Sequence, residues 1–535
     1  MKRRTLLSAG AASVASLAAC TSSGSDSSAT TTTSGAAISL SFDKDAFTEK
    51  TATISTAAGD RKVTYRLWSR IPYVAKPVDA DYQSLSVAVP VKIDGKEVDA
   101  TGAPILFEIP VGGYMSAKAT DDPLSQSGPG GGMPDGAGMP SGGPKGDGFP
   151  GGGPGGDGGD GAPTGNGGAL ATGMGSQGQN THEAIAAGWV VVSVGARGRD
   201  NKSADGTFYG KAPAVIVDLK AAVRYLRSNK DVFPGDTDKI VSNGTSAGGA
   251  VSTLLGASGD SDLYAKYLTE LGAADAGDSI FAVAAYCPIT DLENADTAYE
   301  FLYGGLPANG QTVDQAVSKE LAGAFAGYQD GLGLKGLDGR ALTAERYKNY
   351  LLTQYLQPAA TSYLAGLSNS ERSTYLAANG FLKWSGGKAT FTFAGFLAHL
   401  GGRKKTLPGF DAFDLSAGEN NEFGTETVDD RHFTEYSAKK ANTTLDADIP
   451  GLLKLMNPMH FLAEKNEARA KNWFIRLGSS DTDTSLTVSS NVAAAAHTLG
   501  DTVDSIMYWD AGHGANNDPD AFIAWANKVT GHTSA

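Results

Sequence analysis

Cysteine is almost missing from this chain of 535 residues, which has only Cys20 and Cys287. If Cys20 is used at the N-terminus, as its surroundings suggest, no internal disulfide can form and stability must come from a packed core. Basic side chains are outnumbered, 44 Lys and Arg against 58 Asp and Glu for a net charge of −14. No stripe is dense in Lys or Arg, which argues against nucleic acid as a partner. Metal-ligand sets are lacking as well. The segment Val428–Phe433 (VDDRHF) has no further Cys or His at a suitable spacing. Asp481–Ser485 (DTDTS) lacks the glycine and distal glutamate of a calcium loop. No metal or cofactor is expected.

What is present begins with an export signal. MKRRTLLSAGAASVASLAAC has a basic start, a short apolar stretch and small residues before a cysteine, and is too short and too rich in Ala and Ser to span a bilayer. Leu17-Ala18-Ala19-Cys20 resembles the lipobox of bacterial lipoproteins, which predicts a signal peptide over 1–19 and lipidation of Cys20. Arg3-Arg4-Thr5-Leu6-Leu7 also resembles a twin-arginine signal. The Ser/Thr-rich segment 20–50 has too few apolar side chains to offset its ordering entropy and reads as a tether. These features predict an exported lipoprotein of the cell envelope or surface, touching a membrane only through its lipid.

From about Thr51 the chain alternates apolar and polar residues like strands (KVTYRLWSRIPYVA, SLSVAVPVKID), and APILFEIPVGGY is a continuous apolar run. Residues 116–180 then hold much of the chain's 70 glycines without a triplet repeat, and read as a disordered insertion. Beyond it come a two-sided strand (WVVVSV), a helix (VIVDLKAAVRYLRSNK, with Lys220, Arg224 and Arg227 placed on its surface), a strand (KIVSNG), a helix and a strand (SIFAVAAYCP). That alternation implies a parallel sheet with right-handed crossovers. Residues 291–445 break the pattern with helical segments before strands NWFIRLGS and VDSIMYW resume. The expected organisation is a core in two parts, 51–290 and 446–535, with 291–445 inserted as a largely helical lid.

Gly244-Thr245-Ser246-Ala247-Gly248 fits G-x-S-x-G and lies between a strand and a helix, where that motif makes a nucleophile elbow and only glycines leave room for the crowded backbone. This predicts an α/β-hydrolase fold with Ser246 as nucleophile. A serine hydroxyl needs a base and an orienting carboxylate, and in this fold they follow the serine on loops after late strands. Asp481 follows WFIRLGS and His513 follows VDSIMYW, at the sheet edge where Ser246 must emerge. His182, His399, His432, His460, His497 and His532 read as packing, lid or tail residues. For the oxyanion, Ala247 supplies one N–H, and Gly113 or Tyr114, in the turn after a strand, supplies the other.

These motifs together resemble the bacterial tannases, α/β-hydrolases that cleave galloyl esters. The resemblance rests on VIVDLKAAVRYLRSN, GTSAGG, the Asp-x-Asp pair, GHG and the insertion segment GGRKKTLPGFDAFDLSAGENNEFG. It implies Asp481 as the triad acid, with Lys405, Glu419 and Asp483 contacting the hydroxyls of a gallate ring and Lys404 as an alternative to Lys405. The implied partner is a small phenolic ester. Carboxylates accept phenolic O–H bonds, and a ring without those hydroxyls would leave buried polar groups unpaired. Feruloyl or other carboxylic esters on the same fold are the second expectation, and a non-catalytic surface binding protein the third.

Overall fold

A computed structural model gives the structure of the protein and describes residues 38–125 and 172–534, backbone only for 172–177. The expected signal peptide, Cys20, most of the expected tether and the glycine-rich stretch 126–171 lie outside the described residues. Among the described residues no helix is long and apolar enough to cross a membrane.

The strands are β1 (Thr48–Thr56), β2 (Gly59–Pro72), β3 (Ser84–Ile93), β4 (Lys96–Glu97), β5 (Ile105–Ile109), β6 (Val190–Val194), β7 (Ile240–Thr245), β8 (Ala282–Tyr286), β9 (Lys383–Ser385), β10 (Lys388–Thr390), β11 (Asn472–Gly478) and β12 (Thr502–Tyr508). All but β9 and β10 join one sheet in the order β1-β2-β3-β6-β5-β7-β8-β11-β12, with β4 on β3. Pairing is antiparallel from β1 to β6 and parallel from β6 to β12. Every residue of β5, β6, β7 and β8 is buried, as strands covered on both faces must be. Helices Ala214–Ser228, Ala247–Ala257 and Leu486–Thr498 follow β6, β7 and β11 as crossovers, so the loops that follow the six parallel strands β5, β6, β7, β8, β11 and β12 emerge at one edge. In open sheets of this kind ligands bind at that edge.

Between β8 and β11 lie helices Leu292–Tyr303, Gln315–Gly331, Ala344–Tyr350, Gln357–Gly366, Asn369–Ala378 and Phe393–Leu400, together with the hairpin β9–β10. Their buried side chains, Phe325, Tyr347 and Phe396 among them, belong to the same apolar cluster as Val192 and Ile240 of the sheet. The Tyr347 hydroxyl donates to Asn491 Oδ1 in the helix after β11 at 2.8 Å. The inserted segment therefore shares its core with the sheet.

Several expectations need correction. Residues 38–50, placed in the tether on composition, are ordered. Phe42 packs between Trp68 and Phe233, and its N–H donates to Asn229 Oδ1 at 2.8 Å. The glycine-rich insertion is shorter than 116–180. Ala117 pairs with Ala196, Leu124 is buried, and helix Thr172–Ala186 brings Asn180 into the interior. Isolated apolar side chains anchor these flanks, which a composition average over the segment hides. His532 is docked as well, bonded to Ala187 O at 2.9 Å and set edge-on to Trp189.

Lys220 is not a surface residue but fully buried. Its Nζ donates to Asp278 Oδ1 and Ser258 O, each at 2.7 Å, and lies 4.6 Å from the centre of the Tyr264 ring. Asp278 is buried too and is held below the usual carboxylate range: burial opposes the charge, but Lys220 and Arg224 more than compensate. Removing one partner of a buried pair strands the other charge at a cost of about 3–5 kcal/mol. Asp278→Asn, which leaves the buried Lys220 ammonium without its carboxylate partner, is expected to lower unfolding stability by that order in denaturant titration, and a loss below about 1 kcal/mol would contradict this reading.

Candidate active site

Strand β7 ends at Thr245 and a helix begins at Ala247, so the chain reverses at one residue. Ser246 takes φ 61° and ψ −123°, a conformation L-residues avoid, at a strain of order 1–3 kcal/mol. The flanking glycines make this possible. A Cβ on Gly244 would lie 2.2 Å from Gly248 O, and one on Gly249 would lie 2.6 Å from Tyr286 O. The elbow is fixed across the sheet, since Ser246 N donates to Tyr286 O at 2.9 Å.

Ser246 Oγ lies 2.8 Å from His513 Nε2, and His513 Nδ1 lies 2.8 Å from Asp481 Oδ2. Asp481, just past β11, is almost fully buried, and its Oδ1 accepts the Asp483 N–H at 2.8 Å. The network assigns the Nδ1 proton to the aspartate side, leaving Nε2 to accept from the serine. Burial opposes the protonated form of His513, yet the hydrogen bonds of Asp481 and Cys287 outweigh it and raise the imidazole above its ordinary value. The charged ring that forms when a base takes a proton is thus stabilised where it forms. Cys287 Sγ sits 3.9 Å from Nε2 and accepts the Gly514 N–H at 3.3 Å; burial pushes its thiol up. Cys287, Asp481 and His513 are also the one described cluster with metal-ligand atoms close together, all within 4.8 Å.

Of the remaining expected site residues, Lys404, Lys405 and Glu419 lie in the inserted segment and Asp483 in the loop after β11. Lys405 Nζ pairs with Glu419 Oε1 at 3.1 Å, and Lys404 Nζ with Asp483 Oδ1 at 2.7 Å. Both lysines therefore engage the carboxylate set, one each. Asp483 Oδ2 is 3.8 Å from His513 Nδ1, so the Lys404–Asp483 pair adjoins the Ser246–His513–Asp481 chain. Lid helix Leu292–Tyr303 ties the two together: the Tyr299 hydroxyl donates to Thr482 O at 2.6 Å and accepts the Lys405 N–H at 3.2 Å. Gly113 and Tyr114 are the central residues of a tight turn, both at φ 57°, closed by Met115 N donating to Gly112 O at 2.9 Å. The Tyr114 hydroxyl donates to Ile289 O at 2.8 Å. Ala247 opens its helix directly after the serine.

Three other histidines have carboxylate partners of their own. His432 Nδ1 meets Asp411 at 2.7 Å, His399 Nε2 meets Asp510 at 2.6 Å and His460 Nε2 meets Glu293 at 2.8 Å. The sequence reading passed over Arg199, Cys287 as a neighbour of His513, and Glu422. Glu422 is buried with no hydrogen-bond partner for either carboxyl oxygen among the described residues. Its one sequence signal was its position three residues after Glu419, on the same face of helix Gly418–Glu422.

A strained serine between a parallel strand and a helix, reached by a histidine and an aspartate from two later strands, makes the fold an α/β-hydrolase. The comparisons agree and go further. The BD-FAE family profile matches residues 166–324. No curated protein matches the chain. Among solved structures, the tannin acyl hydrolase from Lactobacillus plantarum is 31% identical with a TM-score of 0.73, covering 92% of this chain and 99% of that one. The Fusobacterium nucleatum tannase is 31% identical with a TM-score of 0.72, covering 92% of this chain and 100% of that one. A tannin acyl hydrolase in complex with ethyl gallate is 31% identical with a TM-score of 0.71, covering 92% and 99%. The chain belongs to the bacterial tannase family.

Beside the elbow runs a buried polar network. Glu108 on β5 accepts from Thr181 Oγ1 at 2.7 Å and from Asn243 Nδ2 at 3.1 Å; Asn180 Nδ2 donates to Asn243 Oδ1 at 3.0 Å, and Asn516, near His513, donates to Asn180 Oδ1 at 3.0 Å. Burial pushes the Glu108 carboxyl up to about 7 against the donors that lower it. The folded chain thus holds the proton more tightly than the unfolded one. This contribution to stability is complete below the unfolded value of 4.5 and is lost as pH rises through about 7. From pH 4.5 to 8 the stability difference between parent and Glu108→Gln should shift against the parent by roughly 3 kcal/mol. Parallel pH profiles would contradict it.

Proposed function

We propose that the protein is a serine esterase that hydrolyses galloyl esters through Ser246, His513 and Asp481. His513 Nε2 takes the hydroxyl proton as Ser246 Oγ attacks the ester carbonyl, and Asp481 holds the imidazolium. The tetrahedral oxyanion is received by the Ala247 N–H and an N–H of the Gly113–Tyr114 turn. Collapse expels the alcohol, which takes the proton from His513, and leaves a galloyl ester on Ser246. Water, deprotonated by His513, then attacks the acyl carbonyl, and Ser246 leaves with the proton.

The galloyl reading draws its support from two ion pairs, Lys405 with Glu419 and Lys404 with Asp483, the second of them 3.8 Å from His513. A ring with three adjacent hydroxyls can donate to the two carboxylates while the ammonium favours partial phenolate character. Relatives of this family have been captured with ethyl gallate and with 3,4-dihydroxybenzoate, which supports the same ring chemistry here. Feruloyl esters are the second reading, favoured by the BD-FAE match. The lipobox-like Leu17-Ala18-Ala19-Cys20 supports export and anchoring through a lipid on Cys20.

Methyl gallate, methyl ferulate and a short-chain acetate ester, assayed on the purified protein, test the reading. Gallate should be preferred, and Ser246→Ala should lose turnover by at least about 10⁴-fold. Retained activity in Ser246→Ala would refute the nucleophile. Glu419→Gln and Lys405→Met should each lower the gallate-to-acetate ratio of kcat/KM by about 10- to 100-fold, the equivalent of an unpaired buried polar group. An unchanged ratio would remove the galloyl pocket. For the anchor, mass spectrometry of the mature N-terminal peptide should find lipid on Cys20 and none in Cys20→Ser; an unmodified Cys20 in membrane-derived protein would contradict it.

A further inference from the structure

We propose that Arg199 is a positioning residue that couples the oxyanion turn to the lid helix bearing Glu419. The inference rests on the esterase reading and adds how ring recognition is linked to the acyl centre. Arg199 lies just past β6, and both carbonyls of the Gly113–Tyr114 turn bond to it. Nε donates to Gly113 O at 2.7 Å, and the backbone N–H donates to Tyr114 O at 2.9 Å. In a planar trans peptide the N–H points opposite the preceding carbonyl. Fixing Gly113 O therefore fixes the direction of the Tyr114 N–H, which donates to no group among the described residues. The segment is pressed against the turn backbone to backbone, since a Cβ on neighbouring Gly198 would lie 2.2 Å from Met115 C.

The far side of the same guanidinium meets the lid. Nη1 donates to Asn421 Oδ1 at 3.1 Å, and a Cβ on Gly418 would fall 3.0 Å from Nη2. Both residues lie in helix Gly418–Glu422, which carries Glu419. Arg199 is also the strongest attractive charge acting on Glu422, the buried carboxyl of that helix with no hydrogen-bond partner among the described residues. A planar fork can hold a turn on one side and a helix on the other, whereas a lysine can reach only one of them. When Lys405 and Glu419 close on a ring, the helix is held in register with the turn that receives the oxyanion.

The test uses the full-length protein as parent, Arg199→Lys, Arg199→Ala and Asn421→Ala, with kcat and KM on methyl gallate and a short-chain acetate ester and melting temperatures as a folding control. Loosening the turn should lower kcat about tenfold or more on both esters in Arg199→Ala, whereas Arg199→Lys, which can reach only one partner, should lose either kcat on both esters or the gallate-to-acetate ratio. Asn421→Ala, which detaches the lid end, should act on gallate through a raised KM and change the gallate-to-acetate ratio. Folded Arg199→Ala with parental kcat on both esters, or folded Arg199→Lys with parental kcat and ratio, would overturn the inference. So would equal kcat losses on the acetate ester in Arg199→Ala and Asn421→Ala. A parent with no gallate preference would defeat the galloyl reading instead, and the acetate kcat would still decide the role of Arg199.

Discussion

The site depends on one constraint, the reversal of the chain at Ser246. A residue held at φ 61° stores strain, and the structure supports it from three directions: Gly244 and Gly249 admit neighbouring backbone, Tyr286 O accepts the serine N–H, and the buried Ala247–Ala257 helix cannot shift without disturbing the core. The result is a hydroxyl fixed at the edge of a rigid sheet. Because β7, β8, β11 and β12 are adjacent and parallel, the loops that follow them arrive at that edge together, and His513 and Asp481 reach Ser246 from chain positions far away.

The inserted segment gives this centre its chemical surroundings. Helix Leu292–Tyr303 holds the Asp481 loop through Tyr299, Lys404 and Lys405 each take one carboxylate, and Arg199 spans from the Gly113–Tyr114 turn to helix Gly418–Glu422. Since the lid shares its core with the sheet, recognition and proposed chemistry are parts of one packed unit. A family of α/β-hydrolases can keep the elbow and vary its acyl group by altering such a segment, which is why fold alone does not specify substrate.

The parallel half of the sheet was legible because its strands are short apolar runs that alternate with helices, β6 being β-branched on both faces, and the elbow because its glycines bracket a serine at a strand–helix junction. Asp481 and His513 could be placed because strand ends are readable and the sheet edge is shared. Less visible was anything set by three-dimensional packing. Lys220 lies on a helix whose pattern put it outside, but Asp278, 58 residues on, draws it inside. Phe42 and Asn180 were lost in segments whose composition is polar or glycine-rich. Arg199 and Glu422 carry no motif, and Arg199 meets its partners only in the fold, 86 residues before it and 222 after it.

The central claim is that an acyl group passes through the oxygen of Ser246. Rapid acid quench of the enzyme during turnover of methyl gallate, followed by peptide mass spectrometry, reads this directly. The account predicts a galloyl mass increment on the peptide containing Ser246, rising before steady state and disappearing as substrate is exhausted. Turnover with the increment on a different residue would contradict it.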